Sequence, residues 1–162
     1  MMPELRKFTA SLENPMIRKL AHLCLLTDQL ETMRIFYAQT LGLPVKIIFH
    51  NAANQVFGYY FDCGDSTFIE IFDNVLKCQH WGGTPPTLTA SGRCNHLCLE
   101  VTGLADVRAA LLAKGLQISE IKSVMDHSLQ AWTKDPDGNS IELMEYTTRS
   151  LQIQPTHAQV AK

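Results

Sequence analysis

Apolar and polar positions along this chain follow two periods, and the periods alternate in the same order twice. The run His22-Leu23-Cys24-Leu25-Leu26 predicts a strand. Leu30, Met33, Phe36, Tyr37 and Leu41 then keep the helical period as far as Gly42-Leu43. Asp28 and Glu31 predict a capping box at the start of that helix, and Gly42 suits a left-handed stop at its end. Three β-rich runs follow, at Val45–Phe49, Phe57–Asp62 and Ser66–Phe72. The order then begins again. A strand is predicted at His96–Leu99, and Thr102 takes the next cap position. Leu104, Val107, Leu111 and Leu112 form a second helical stripe that stops at Gly115-Leu116. Further β-rich runs occupy Leu116–Ile121, Leu129–Lys134 and Ser140–Tyr146, the last two joined by the hairpin turn Asp135-Pro136-Asp137-Gly138-Asn139. The apolar stripes read as core.

The repetition extends to residue identity. His22-Leu23-Cys24-Leu25 recurs as His96-Leu97-Cys98-Leu99, and Ile69-Glu70-Ile71 is answered by Ile141-Glu142-Leu143 at nearly the same offset. Two anchors in register, with matching helices between them, indicate a duplicated unit of roughly 70 residues. The expected fold is α+β, built from two tandem βαβββ modules at 17–73 and 93–147 within a single domain, 17–147. The connection 73–93 holds Gly82-Gly83 and Pro85-Pro86 and reads as a loop or arm. The segments 1–16 and 148–162 lack periodicity and read as tails.

Strand alternation sorts the repeated residues onto faces. His22 and Cys24 oppose Leu23 and Leu25, and Glu70 opposes Ile69 and Ile71. In the second unit His96 and Cys98 oppose Leu97 and Leu99, while Glu142 opposes Ile141 and Leu143. The aliphatic faces would pack under the helices, leaving His, Glu, His and Glu on the others. A single strand histidine is ordinarily structural, and an ionised Glu among apolar neighbours is costly to bury unless paired or bound to a cation. Both residue types at matched positions in both units point to a divalent metal between them. Imidazole and carboxylate suit Zn, Ni, Mn or Fe, and four protein ligands leave two octahedral positions for water or substrate. Cys24 and Cys98 are alternative soft ligands, though small buried hydrophobes is their more ordinary role.

Composition narrows the partners. The 162 residues are 46% hydrophobic and 19% charged, with a formal charge of −2 and no block of like charge, which argues against nucleic acid. No apolar run approaches the ~20 residues of a membrane span, and residues 1–16 contain no apolar secretory core. Five cysteines without a C-x-x-C pair fit reduced thiols in the cytoplasm.

Over residues 17–147 the chain resembles the vicinal oxygen chelate superfamily, also called glyoxalase/bleomycin resistance/dioxygenase. The HLCL strand, the helix ending FYAQTLGL, the FIEIF strand and DPDGNSIELMEY carry the likeness. The resemblance implies two modules forming an open cup around one metal held by His22, Glu70, His96 and Glu142, and a homodimer. The ligand set is similar to that of glyoxalase I, which isomerises a hemithioacetal through an enediolate-type intermediate, with one metal-side Glu as base. It implies catalytic roles for Glu142 and Glu70 on a small-molecule substrate with vicinal oxygens. No distinct basic cluster marks a glutathione carboxylate site, since Arg18, Lys19, Arg34, Lys46, Arg93 and Lys122 are scattered. A ring-cleaving Fe(II) dioxygenase is the second reading. It needs a Tyr where this chain has Trp132, although His80 in the connecting loop imitates the required extra His. The third is a metal-free drug- or metabolite-binding module lined by Tyr59, Tyr60, Phe68, Phe72 and Trp132. His127, before a strand of the second unit, is not assigned to the site.

Overall fold

The computed structural model describes residues 19–88 and 94–154. Both expected modules are present, as two four-stranded sheets. The first unit runs β1 (His22–Thr27), α1 (Leu30–Ile35), β2 (Val45–His50), β3 (Val56–Asp62) and β4 (Phe68–Asp73). The second runs β5 (Leu97–Glu100), α3 (Leu104–Ala113), β6 (Lys122–Ser123), β7 (Leu129–Lys134) and β8 (Ser140–Glu145), with α2 (Asn74–Trp81) between the units. Each first strand lies at a sheet edge, parallel to the fourth, and the remaining pairs are antiparallel. The strand orders β1-β4-β3-β2 and β5-β8-β7-β6 repeat each other.

The aliphatic faces behave as alternation dictates. Ile69, Ile71, Ile141 and Leu143 are buried in one core with Met33, Phe36 and Tyr37 from the first helix and Leu104 and Leu111 from the second. Burying each such side chain favours folding by about 1.5–3 kcal/mol, so these faces set which side of each sheet is left for chemistry. The opposite side holds Phe68, Glu70 and Phe72 in β4. Gly58 lies across from Phe72, and a Cβ there would fall 2.1 Å from Phe72 Cδ1, so the ring occupies the space a side chain would fill.

Several local expectations are corrected. Asp28 does not cap α1: Gln29 is the N-cap residue, and Glu31 instead holds Arg34 at 2.6 Å. The helix widens after Ile35 into a π-helical turn, Phe36–Thr40, closed by the Leu41 N–H donating to Phe36 O. Leu116–Ile121 is not a strand; only Lys122 and Ser123 pair with β7. The connection begins as helix α2, whose N-cap Asp73 accepts from the Val75 and Leu76 N–H groups. The expected tail 1–16, together with Arg18 and Arg93, lies outside the described residues, as do the last eight residues of 148–162.

The second helix is capped from a distance. Gly103, in the left-handed region at φ 70°, starts α3 in place of Thr102. The Glu145 carboxylate accepts from the Gly103 and Leu104 N–H groups at 3.0 and 2.9 Å. These two backbone donors hold the Glu145 carboxyl below its usual range. A lowered folded-state pKa stabilises above the unfolded value and is lost as pH falls through the folded one. Thermal melts between neutral pH and pH ~3 should therefore lose less stability in Glu145→Gln than in wild type. Equal acid slopes would remove Glu145 from the account.

Candidate metal half-sites

The repeated His and Glu residues come together within each module. His22 opens β1 and Glu70 lies in β4, where the parallel register sets Cys24 beside Glu70. His22 Nε2 is 3.8 Å from Glu70 Oε2. In the second module His96 directly precedes β5, Cys98 pairs with Glu142, and His96 Nε2 approaches Glu142 Oε2 to 3.1 Å. Sequence repetition has become geometric repetition. The two pairs are not gathered into one cluster, because no group of three or more His, Cys, Asp or Glu able to hold a metal occurs among the described residues. One chain thus presents two half-sets.

Each half-set includes an aromatic residue that periodicity did not single out as its partner. Tyr60 pairs with Glu70 across β3 and β4, and Trp132 pairs with Glu142 across β7 and β8. Their rings stand edge-on to the imidazoles, Tyr60 on His22 at 5.6 Å and Trp132 on His96 at 4.9 Å. Such contacts restrict rotation of the imidazole. The cross-strand register was the signal available for them, since the offset from Tyr60 to Trp132 equals that from Glu70 to Glu142.

The electrostatics favour a cation. Glu142 is 5% exposed, and its Oε1 is buried without a hydrogen-bond partner. A carboxylate oxygen left so is costly, and a bound cation would satisfy it. Cys24 and Cys98 are exposed as residues, yet desolvation of the thiol and the adjacent Glu70 or Glu142 push each up to about 12. Both therefore hold their protons near pH 7 in the metal-free chain, and a metal would have to displace them. All five cysteines are free. Burial and the neighbouring Glu70 likewise raise the Tyr60 phenol. The donor set of two imidazoles and two carboxylates fits a divalent metal.

Other candidates fall elsewhere. His80 lies in α2 with its ring 4.7 Å from Phe57, and Tyr59 is buried in the core. His127 sits in a left-handed turn, φ 65°, whose carbonyl accepts from Thr147 Oγ1 at 2.7 Å. Lys46 meets Asp62 at 3.8 Å, on a strand remote in sequence from the basic residue Lys122 on β6. Among the described residues no helix is long and apolar enough to cross a membrane.

Two βαβββ units, each carrying a His–Glu pair on the face turned away from its aliphatic core, define a paired-module protein of the glyoxalase type of fold. The chain belongs to the Glyoxalase/Bleomycin resistance protein/Dioxygenase superfamily, whose family model matches residues 19–143. Among solved structures it is similar to a glyoxalase/bleomycin resistance protein/dioxygenase from Nocardioides, with 18% identity, a TM-score of 0.64 and 93% of each chain covered. Lactoylglutathione lyase from Agrobacterium tumefaciens aligns at 19% identity and TM-score 0.60, over 78% of this chain and 92% of that one. An antibiotic binding protein from Streptomyces aligns at 21% and 0.61, over 83% and 100%. No curated protein matches the sequence. Identities this low establish the shared fold.

Proposed function

We propose that this chain is a metal-dependent lyase or isomerase of the glyoxalase I type, acting on a small substrate with vicinal oxygens through an enediolate-type intermediate. The observation that carries the reading is the partnerless, buried Glu142 Oε1 beside His96, repeated in outline by His22 and Glu70. His22, Glu70, His96 and Glu142 would hold one divalent cation, Ni, Zn, Mn or Fe. When bound, such a cation polarises vicinal oxygens and stabilises enolate charge. The protein's own part is proton movement and exclusion of water. Glu142 would take the proton from the carbon next to one of the substrate's vicinal oxygens, and Met144, buried on the same face of β8, limits water there.

Because one chain presents the ligands as two pairs, the reading includes a homodimer with the cup formed between copies, each cation drawing one pair from each. The strands that carry or follow the histidines, β1 and β5, each lie at a sheet edge, where a second copy would cover backbone groups that an edge leaves without a ladder partner. Free thiols and the mixed surface charge are compatible with a cytoplasmic enzyme. The test combines metal analysis of the purified protein with light scattering. About one divalent ion per chain, on a species of twice 18.2 kDa, is expected. A metal-free monomer that neither binds nor assembles on added nickel or zinc would refute the reading.

A second reading rests on a separate observation, the aromatic packing around Tyr60, Phe49 and Phe72. A binding module of this fold would use those rings and need no cation. Iron content with oxygen uptake would instead favour the dioxygenase, for which Trp132 lacks the phenol.

A further inference from the structure

An aromatic strip leads from the His22–Glu70 pair to an exposed tryptophan. Tyr60 touches His22 on one side and Phe49 on the other, each at a ring separation of 5.6 Å. Phe49 packs against Phe72 at 5.1 Å and against Trp81 at 6.4 Å. Trp81, the last residue of α2, stands edge-on to Phe57 at 5.1 Å and 82° and to Phe72 at 5.0 Å and 86°. These edge contacts fix the tilt of its indole, yet 54% of the residue stays exposed. Ile47, across the ladder from Tyr60 and 43% exposed, extends the apolar surface on the strand beside them. None of these rings is needed to hold a cation or move a proton.

A large ring locked by its neighbours but left in water gives up little conformational freedom when a ligand covers it. An apolar surface of this kind, continuous with a polar pair, suits a molecule that is apolar at one end and oxygen-bearing at the other. Planar aromatic groups gain most, because they match the flat π surface as well as its apolarity. We propose that Trp81, seated on Phe49, Phe57 and Phe72, is a specificity-determining ledge for the terminal aromatic ring of an elongated ligand that lies along the Tyr60–Phe49 strip with its vicinal oxygens facing His22 and Glu70. The placement of those oxygens rests on the proposed function; the ring's seat does not.

Calorimetric titration of the nickel-loaded full chain with 4-phenylbutyrohydroxamate, whose ring is set off from the chelating oxygens by three carbons, and with acetohydroxamate, which has the same vicinal oxygens and no ring, tests the ledge. The aryl compound should bind roughly tenfold more tightly. Trp81→Ala should bring the two within about twofold while leaving acetohydroxamate unchanged, and Trp81→Phe should restore part of the preference. Equal binding by wild type, or a preference that survives Trp81→Ala, overturns the ledge. Metal-free protein separates this from the cation reading. There 2-naphthol should bind weakly to wild type and be lost in Trp81→Ala. Naphthol binding with no hydroxamate binding would support the ledge and refute the cation site, whereas no naphthol binding would overturn the ledge. Dissociation of the dimer by Trp81→Ala would assign the surface to a second copy and also overturn it.

Discussion

Glu142→Gln is expected to lower turnover about 10²–10⁴-fold, the usual loss when a general base is removed. The substrate for the measurement is the hemithioacetal of methylglyoxal with a small thiol. The amide keeps an oxygen that can approach a cation, so the variant should retain much of its metal. His96→Ala should lose metal and turnover together, because an imidazole ligand disappears. Stability moves the other way. Wild-type Glu142 is buried with one oxygen unpartnered, an arrangement that is costly without a cation. The metal-stripped Glu142→Gln chain should therefore melt no lower than the metal-stripped wild type, and gain less from added nickel. The near-symmetry of the modules supplies the control. Solvent-proton exchange into substrate, measured for Glu142→Gln and Glu70→Gln side by side, identifies the base. Exchange retained in the Glu142 variant and lost in the Glu70 variant would transfer the role to Glu70. Exchange retained in both would remove these carboxylates from proton transfer.

Asp135→Ala should be strongly destabilising although Asp135 lies outside the half-sites and is polar. Its carboxylate is 4% exposed and receives four donors: Tyr37 Oη at 2.9 Å, the Asp137 and Asn139 N–H groups at 3.0 and 2.9 Å, and Asn139 Nδ2 at 2.8 Å. Three of these close the β7–β8 turn, and the fourth ties the first helix to the second module. Tyr37 has no exposed surface, and burial together with the Asp135 charge pushes its phenol above the ordinary value, so it stays a donor. Truncation removes the turn's anchor and strands a buried hydroxyl, at about 3–5 kcal/mol. That corresponds to a fall in Tm of roughly 10 °C for a chain of this size. Tyr37→Phe leaves the turn intact and should cost about 1–3 kcal/mol. Urea unfolding of both single variants and the double variant gives the coupling between them. A loss under about 1 kcal/mol in Asp135→Ala, or a larger loss in Tyr37→Phe, would show that this bridge does not hold the modules together.

What the sequence determined by itself is what depends on local periodicity. The alternation in His22-Leu23-Cys24-Leu25 and Ile69-Glu70-Ile71 placed leucines and isoleucines in the core and His and Glu opposite them. The structure shows those faces, because a residue's side of a strand follows from its parity alone. Asp135 to Asn139 announced a hairpin through turn chemistry, and the hairpin formed. The tertiary structure decided whatever depends on residues far apart in the chain. Thr102 looked like a cap, but Glu145 supplies the carboxylate to the start of α3 from the end of β8. Leu116–Ile121 has strand composition, yet only Lys122 and Ser123 find ladder partners, since a strand exists only where a neighbour pairs with it. Helix α2 shows no strong apolar stripe in Asn74–Trp81. It is held by the Asp73 cap and by Trp81 packing on Phe49, Phe57 and Phe72, contacts that exist only once β2, β3 and β4 have aligned. The matched His and Glu residues were visible one by one. Their division into a His22–Glu70 pair and a His96–Glu142 pair was settled by each module's parallel first and fourth strands, a pairing between residues dozens of positions apart that no local period encodes.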